Sequence, residues 1–207
     1  MSENMTIWQP MFNCRAENYK KFSKISAYLY VCDASNVTIV NLWRNEINII
    51  INMKEDNKCL ADGSDDDIPS CITYYHCPTE PNKKEISKWF DTVSKIVVKA
   101  KGLNKRVLIF CDIGNARAPT IGCACLMRCE NWPVLFAIIY MKIKRRSFDL
   151  RYDMWKGLCD FEEAYPRVID RLCYNLGDFN EEIEFLEKPE LTPKEFSESF
   201  LKHLQLY

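Results

Sequence analysis

The chain has 207 residues and a formal net charge of −1, from 28 lysines and arginines against 29 aspartates and glutamates. That length suits one domain with a single core, and a near-neutral charge argues against general affinity for nucleic acid or an anionic membrane surface. No apolar run approaches the roughly 18 residues of a membrane span, and the first residues lack the apolar core of a signal peptide. We therefore expect an intracellular protein that engages neither membrane nor nucleic acid.

Eleven cysteines are scattered at irregular spacing. An odd number without a secretory signal favours free thiols over a disulfide framework. No Cys-x2-Cys pair occurs and only two histidines are present, so we expect no metal site. Cys123, Cys125 and Cys129 fall inside an apolar helical stretch, where they are expected to pack as small hydrophobic side chains.

The predicted elements alternate between strands and helices along the chain. Alternation or compact apolar runs predict strands at 25–31, 47–53, 71–76 and 106–110. Helical spacing predicts helices at 36–45, 83–102, 120–128, 133–144 and 152–165. Val37, Val40 and Leu42 are available for burial in the first helix, and Gly102 is a plausible C-cap of the second. This order implies an α/β domain with a mainly parallel central sheet flanked by helices, whose ligands bind at the carboxyl ends of the strands.

The C-terminal part of the sequence differs in composition. We divide the chain into an N-terminal segment at 1–20, the α/β domain at 21–177, and an acidic tail with a short helix at 178–207. The tail holds eight acidic and three basic residues, a net charge of −5. Thr192 and Glu195 have the spacing of a capping box, with Pro193 at the first helical position. The apolar face of this helix, from Phe196 to Leu204, either packs on its own domain or binds a partner.

A Cys-x5-Arg stretch follows the predicted strand at 106–110 and precedes a helix. A loop that enters a helix N-terminus points several backbone N–H groups in one direction and so forms an anion cradle. Gly114 permits the dihedral angles of a tight curl, and Arg117 offers a planar fork for two phosphate oxygens. The same dipole and guanidinium are expected to lower the pKa of Cys111 from about 8.5 and make its thiolate a nucleophile. Attack on phosphorus would give a phosphocysteine that water hydrolyses.

The segment VLIFCDIGNARAPTIGCACLM resembles the cysteine-dependent protein tyrosine phosphatases, and among them the small dual-specificity phosphatases. The family has an apolar strand there, then His-Cys-x-x-Gly-x-x-Arg-Ser/Thr and a helix. The resemblance covers roughly residues 25–165 and implies that family's fold, with no metal or organic cofactor. It implies Cys111 as the nucleophile and Arg117 as the group that binds phosphate and stabilises the transition state. Phosphate binding would fall to the loop residues Asp112, Ile113, Gly114, Asn115, Ala116 and Arg117.

The sequence departs from the family pattern at three places in one site. Phe110 replaces the histidine that orders the loop and holds the thiolate. Ala118 replaces the serine or threonine whose hydroxyl stabilises the departing thiolate, so breakdown of a phosphocysteine should be slow. The general acid is uncertain: counted back from Ile86, Glu80 stands where the family has aspartate, but counted forward from Pro78 the segment is one residue short. Glu80 is either that acid or a solvated loop carboxylate.

These departures lead to two readings of the function. The first is a dual-specificity-phosphatase-like domain that recognises phosphorylated protein with weak or lost catalysis, as in a pseudophosphatase. The alternative is an active phosphatase for phosphotyrosine and phosphothreonine. The loop has no lysine, and Asp112 should repel polyanions, which favours a phosphorylated protein segment over inositol phosphates or RNA ends. A basic cluster either receives acidic flanks of that segment or is a solvated helix end: Lys142, Lys144, Arg145, Arg146 and Arg151. The sequence leaves the oligomeric state open.

Overall fold

A five-stranded sheet forms the centre of the computed structural model, which describes residues 22–61, 68–80, 85–164 and 192–204. The strands are β1 (Phe22–Lys24), β2 (Leu29–Asp33), β3 (Ile47–Asn52), β4 (Thr73–His76) and β5 (Arg106–Cys111). Their spatial order is β1-β2-β5-β3-β4. Strand β1 runs antiparallel to β2, and every other pair is parallel. The predicted α/β fold with a mainly parallel sheet is therefore confirmed.

The strand predicted at 25–31 is wrong in its first half: residues 25–28 form a turn, only 29–31 belong to β2, and β1 lies before the predicted range. Ser26 breaks the run, because its hydroxyl accepts hydrogen bonds from the backbone N–H groups of Tyr28 and Leu29 at 3.4 and 3.2 Å. The amide of Ile25 donates to the carbonyl of Leu29 at 2.9 Å and closes the hairpin between β1 and β2. A serine that bonds to nearby backbone groups favours a turn over a continuous strand.

The helices lie close to their predicted positions. They are α1 (Ile39–Arg44), α2 (Phe90–Gly102), α3 (Arg117–Glu130), α4 (Val134–Lys144), α5 (Tyr152–Glu163) and α6 (Pro193–Leu204), and a 3-10 turn (Ile86–Trp89) precedes α2. Gly102 is not the C-cap of α2; Leu103 caps the helix, and Asn104 takes the left-handed conformation with φ of 55°. Val40 is 63% exposed instead of buried, because Leu42 occupies the inward face of this six-residue helix; Val37, which is buried, precedes the helix.

The two faces of the sheet belong to separate hydrophobic clusters. Val31, Ile51 and Ile109 face the large cluster that α2, α3, α4 and α5 cover. Leu108 and Phe110 point to the opposite face, into a smaller cluster under α1. This alternation follows from the two-residue period of a strand. It fixes the direction of the side chain that directly precedes Cys111.

The cysteines contribute mainly to packing. The nine described cysteines are free thiols, and Cys123 and Cys125 are fully buried in the large cluster as predicted. Cys129 is only partly buried at its edge. Within the described ranges, no helix is long and apolar enough to cross a membrane.

The C-terminal helix α6 packs on its own domain. Thr192 and Glu195 form the predicted capping box: the Thr192 amide donates to the Glu195 carboxylate at 2.8 Å, and the Glu195 amide donates to Thr192 Oγ1 at 3.3 Å. Phe196 is buried, with ring centroids 5.4 Å from Trp132 and 5.2 Å from Tyr140. The boundaries predicted at 20/21 and 177/178, and the acidic stretch before Thr192, lie outside the described residues.

Candidate functional site

The loop between β5 and α3 curls so that its two ends meet. Cys111 is the last residue of β5 and is 2% exposed. The backbone N–H of Ala118, in the first turn of α3, donates to Cys111 Sγ at 3.5 Å. The sulfur therefore lies at the N-terminus of a 14-residue helix, where the helix dipole and unpaired amides favour an anion.

Gly114 makes this curl sterically feasible. Its φ is +73°, in the left-handed region that glycine adopts without strain. A Cβ at this position would lie 2.7 Å from the backbone nitrogen of Asp33, 2.8 Å from the carbonyl carbon of Cys32 and 2.5 Å from Arg145 Nη2. The loop thus packs directly against the end of β2, and only glycine fits at its closest approach.

The guanidinium of Arg117 is held by backbone from two other strand ends. Its Nη1 donates to the carbonyl of Met53, just after β3, at 3.2 Å and to the carbonyl of Thr79, beyond β4, at 2.7 Å. Its Nη2 donates to the carboxylate of Asp112 within the loop itself. Arg117 is consequently a buried, fixed cation at the carboxyl edge of the sheet, where the fold places ligands.

The thiol of Cys111 is less acidic than the sequence led us to expect. Burial is the largest influence and raises its pKa. The Ala118 N–H, the Arg117 guanidinium and the Gly114 amide act in the opposite direction, and the charge of Asp112 adds to the increase. The result is a pKa above the ordinary thiol value, so the predicted decrease is wrong: desolvation of the thiolate outweighs the dipole and the guanidinium.

Phe110 leaves the loop undisturbed. Its side chain is fully buried in the cluster on the opposite face of the sheet, with Leu108 and Tyr30. Its backbone stays in the sheet, where the carbonyl accepts a hydrogen bond from the Met53 amide at 2.9 Å. Phenylalanine at this position therefore fills the opposite core and leaves the loop closed.

Glu80 follows directly after a residue that is hydrogen-bonded to Arg117. The preceding residue, Thr79, is buried; its hydroxyl donates to the Met53 carbonyl at 2.8 Å, and its own carbonyl accepts from Arg117. Glu80 itself is exposed. This arrangement brings the backbone of the predicted acid loop to Arg117, while the role of Glu80 as a proton donor stays a prediction.

Arg145 is a site residue that sequence reasoning misplaced in the basic surface cluster. It is buried, and its Nε donates to the carbonyl of Gly114 at 2.7 Å while Nη1 donates to Ser23 Oγ at 2.9 Å. The spacing in the sequence could have indicated its burial. Arg145 follows the buried Met141 by four residues and so continues the inward face of α4. The exposed Arg146 lies one position off that face.

Other members of the predicted basic cluster have local partners. Lys142 Nζ donates to the carbonyl of Phe148 at 2.7 Å, and Arg151 pairs with Asp153 at 2.9 Å. The same segment also supports the loop, since the Asp149 amide donates to the carbonyl of Asn115 at 2.7 Å. The loop is therefore bonded to the chain that follows α4 as well as to β2.

Solved structures share this fold at low sequence identity. Human DUSP28 matches with a TM-score of 0.62 and 16% identity, over 70% of this chain and 94% of that chain. The human tyrosine phosphatase-like serine/threonine/tyrosine-interacting protein matches with a TM-score of 0.61 and 16% identity, over 70% and 97%. DUSP15 matches with a TM-score of 0.60 and 18% identity, over 79% and 95%.

Sequence comparison gives the family directly. No curated protein sequence matches the chain. The family model for the dual specificity phosphatase catalytic domain matches residues 29–164, which run from the start of β2 to the end of α5 and include the whole Cys111–Arg117 loop. The chain therefore belongs to the dual-specificity phosphatase family.

Proposed function

We propose that this domain recognises phosphorylated protein through the Cys111–Arg117 loop and that its catalysis is weak or lost. One observation carries the proposal: the loop is closed around Cys111 Sγ at the N-terminus of α3, with the buried Arg117 at its rim. Backbone amides and a fixed guanidinium are the groups that recognise a phosphate dianion. All of them are independent of the residues that this sequence has replaced.

Three features of the site support weak catalysis. The raised pKa of Cys111 leaves little thiolate at neutral pH. Ala118 supplies an N–H to the sulfur but no hydroxyl, so the departing thiolate loses one hydrogen bond. The candidate acid Glu80 is exposed, and a positioned proton donor contributes roughly 10²–10⁴-fold to such a reaction. Losses within one site are not simply additive, so we expect at most a first, Cys111-dependent product release with little turnover after it.

The alternative is an active phosphatase for phosphotyrosine and phosphothreonine, and the position of Phe110 favours it. Because that side chain points into the opposite core, Phe110 does not lie between Cys111 and the loop. The Cys111 thiolate would attack phosphorus, forming an S–P bond as the ester P–O bond breaks and the leaving oxygen takes a proton from Glu80 or water. Water would then attack the phosphocysteine, releasing inorganic phosphate and returning the thiol.

The proposed ligand is a phosphotyrosine or phosphothreonine segment of another protein. No lysine lies between Cys111 and Arg117, and Asp112 adds a negative charge to the loop. That charge repels a polyanion more strongly than a single phosphate on a peptide. Ile113 is 72% exposed at the tip of the loop and offers an apolar contact for the chain that flanks the phosphorylated residue.

A burst experiment with a phosphopeptide binding assay tests the proposal. Purified protein and Cys111→Ser are mixed with an aryl phosphate, and product is followed through the first turnover and afterwards. Binding of a phosphotyrosine peptide is measured in parallel with Arg117→Lys, and with Arg106→Lys as a matched control at the opposite end of β5. We expect phosphopeptide binding that Arg117→Lys abolishes and Arg106→Lys preserves, with no more than about one product per protein.

Sustained turnover that Cys111→Ser abolishes would establish the alternative instead. A protein that neither binds phosphopeptide nor releases product would overturn both readings.

A further inference from the structure

The Arg117 guanidinium already holds an anion from its own loop. Its Nη1 is engaged by the carbonyls of Met53 and Thr79, and its Nη2 donates to the carboxylate of Asp112. The Arg117 side chain is 9% exposed and the Asp112 side chain 47% exposed. A carboxylate and a phosphate present similar oxygens to a guanidinium, so the two compete for the same donors.

We propose that Asp112 is a specificity-determining residue that competes internally with phosphate for Arg117. The inference rests on the proposed function, since it concerns which phosphates the loop admits. An oxyanion that binds at Arg117 either displaces the Asp112 carboxylate or binds next to its negative charge. In both cases the carboxylate lowers the affinity for the oxyanion. Free inorganic phosphate makes no further contacts that offset this loss of affinity, so it binds weakly. A phosphorylated peptide gains contacts along its chain and still binds.

The structure allows the carboxylate to leave without opening the loop. The backbone of Asp112 is fixed, because its carbonyl accepts a hydrogen bond from the Ala34 amide at 3.2 Å. The half-exposed side chain can rotate into solvent about that fixed backbone. Arg117 keeps its two bonds to backbone carbonyls during the exchange, so the guanidinium stays in place for the incoming phosphate.

The pair also has a role when no ligand is bound. An arginine this buried is destabilising without an anionic partner. Asp112 supplies that partner in the empty site and gives it up in the filled one. Removing the carboxylate should therefore act in opposite directions on two measurements: the empty protein becomes less stable, and its affinity for oxyanions increases. A residue that only supports the loop would decrease both.

Calorimetric titration of the full chain with tungstate and with inorganic phosphate tests the inference. We expect Asp112→Asn to bind both anions at least 10-fold more tightly than the wild type while its melting temperature without ligand falls. Glu46→Gln is the matched control: it removes the same charge from a carboxylate paired with Arg106 at 2.8 Å, at the opposite end of the sheet. We expect it to change the affinity less than 2-fold. Asp112→Ser provides a second variant if Asp112→Asn does not fold.

The outcomes separate this inference from the proposed function. Unchanged or weaker anion binding in the Asp112 variants, or an equal gain in Glu46→Gln, would overturn the role of Asp112 while phosphopeptide binding by the wild type upheld the function. Absence of tungstate and phosphopeptide binding in the wild type and in every Asp112 variant would overturn the proposed function itself.

Discussion

Arg145 is hydrogen-bonded to Gly114: its Nε donates to the Gly114 carbonyl at 2.7 Å, across 31 residues of sequence. The same guanidinium reaches Ser23 on β1 at 2.9 Å. The tip of the loop is thus fixed to the edge of the sheet through a residue that lies outside the Cys-x5-Arg motif. The closure of the cradle depends on the end of α4 as much as on the loop's own sequence.

Replacing Arg145 should weaken anion binding and stability together. Arg145→Met leaves the Gly114 carbonyl and Ser23 hydroxyl without these donors, and we expect a loss of about 3 kcal/mol in the free energy of unfolding. Tungstate affinity should fall at least 10-fold. Urea denaturation and calorimetry measure both quantities, with the exposed neighbour variant Arg146→Met as the control. Equal tungstate affinities for the two variants would contradict the role assigned to Arg145.

Gly114 should not tolerate even a methyl group. Gly114→Ala places a Cβ 2.7 Å from the backbone nitrogen of Asp33 at a φ of +73°, so the loop must move. We expect a loss of about 1–3 kcal/mol in the free energy of unfolding and no measurable tungstate binding. Gly102→Ala is the control, because nothing lies within 4 Å of its Cβ and alanine suits a helix end. Retained binding in Gly114→Ala would mean that the loop is not held as described.

Restoring a hydroxyl beside the sulfur should speed the second half of the reaction. Ala118 is buried next to Cys111, and its amide already donates to Sγ. In Ala118→Ser, we expect the burst with an aryl phosphate to keep its amplitude while the steady-state rate after it rises by about tenfold, the size of one well-placed hydrogen bond. Rapid-quench measurement separates the two phases. A change in the burst alone would place the missing hydroxyl at the attack step instead.

The reactivity of Cys111 should increase with pH beyond the usual range of thiols. Its pKa is raised in the folded protein, so the thiolate fraction at pH 8 is small and continues to grow above pH 9. Alkylation by iodoacetamide, followed at Cys111 by peptide mass spectrometry, should reach its half-maximal rate at a higher pH than in a short cysteine peptide, whose thiol has a pKa of about 8.5. The negative charge of Asp112 contributes to the increase, so Asp112→Asn should move the profile to lower pH. A half-maximal rate at the same pH as the peptide, or at a lower one, would refute the raised pKa.

The sequence predicts those parts of the site that are formed by residues close together in the chain. An apolar strand, a glycine and a helix start lie within nine residues, so the position of the anion cradle can be predicted from 110–118, although its closure also depends on Arg145. The partners of Arg117 could not be predicted, because the Met53 and Thr79 carbonyls reach it from distant segments. The direction of the Cys111 pKa shift was likewise inaccessible, since desolvation depends on everything that packs around the sulfur.

The fold, too, can be predicted from the sequence only in part. The parallel sheet follows from the alternation of elements, while the exposure of Val40 and the burial of Arg145 depend on which helix face reaches the sheet. A six-residue helix carries too few residues for its periodicity to distinguish its two faces. The turn that replaces the first half of the predicted strand depends on one hydroxyl, that of Ser26.

The position of β5 has a consequence for amide hydrogen exchange. This strand is paired on both sides, with β2 and with β3, so its amides open only when most of the sheet opens. Strand β4 lies at the edge of the sheet, and the chain beyond it supplies the Thr79 carbonyl to Arg117. Slow exchange should therefore extend through β5 to Cys111, and faster exchange should mark β4. The strand that ends at Cys111 should therefore be the most persistent part of the site, and the segment that supplies the Thr79 carbonyl the first part to open.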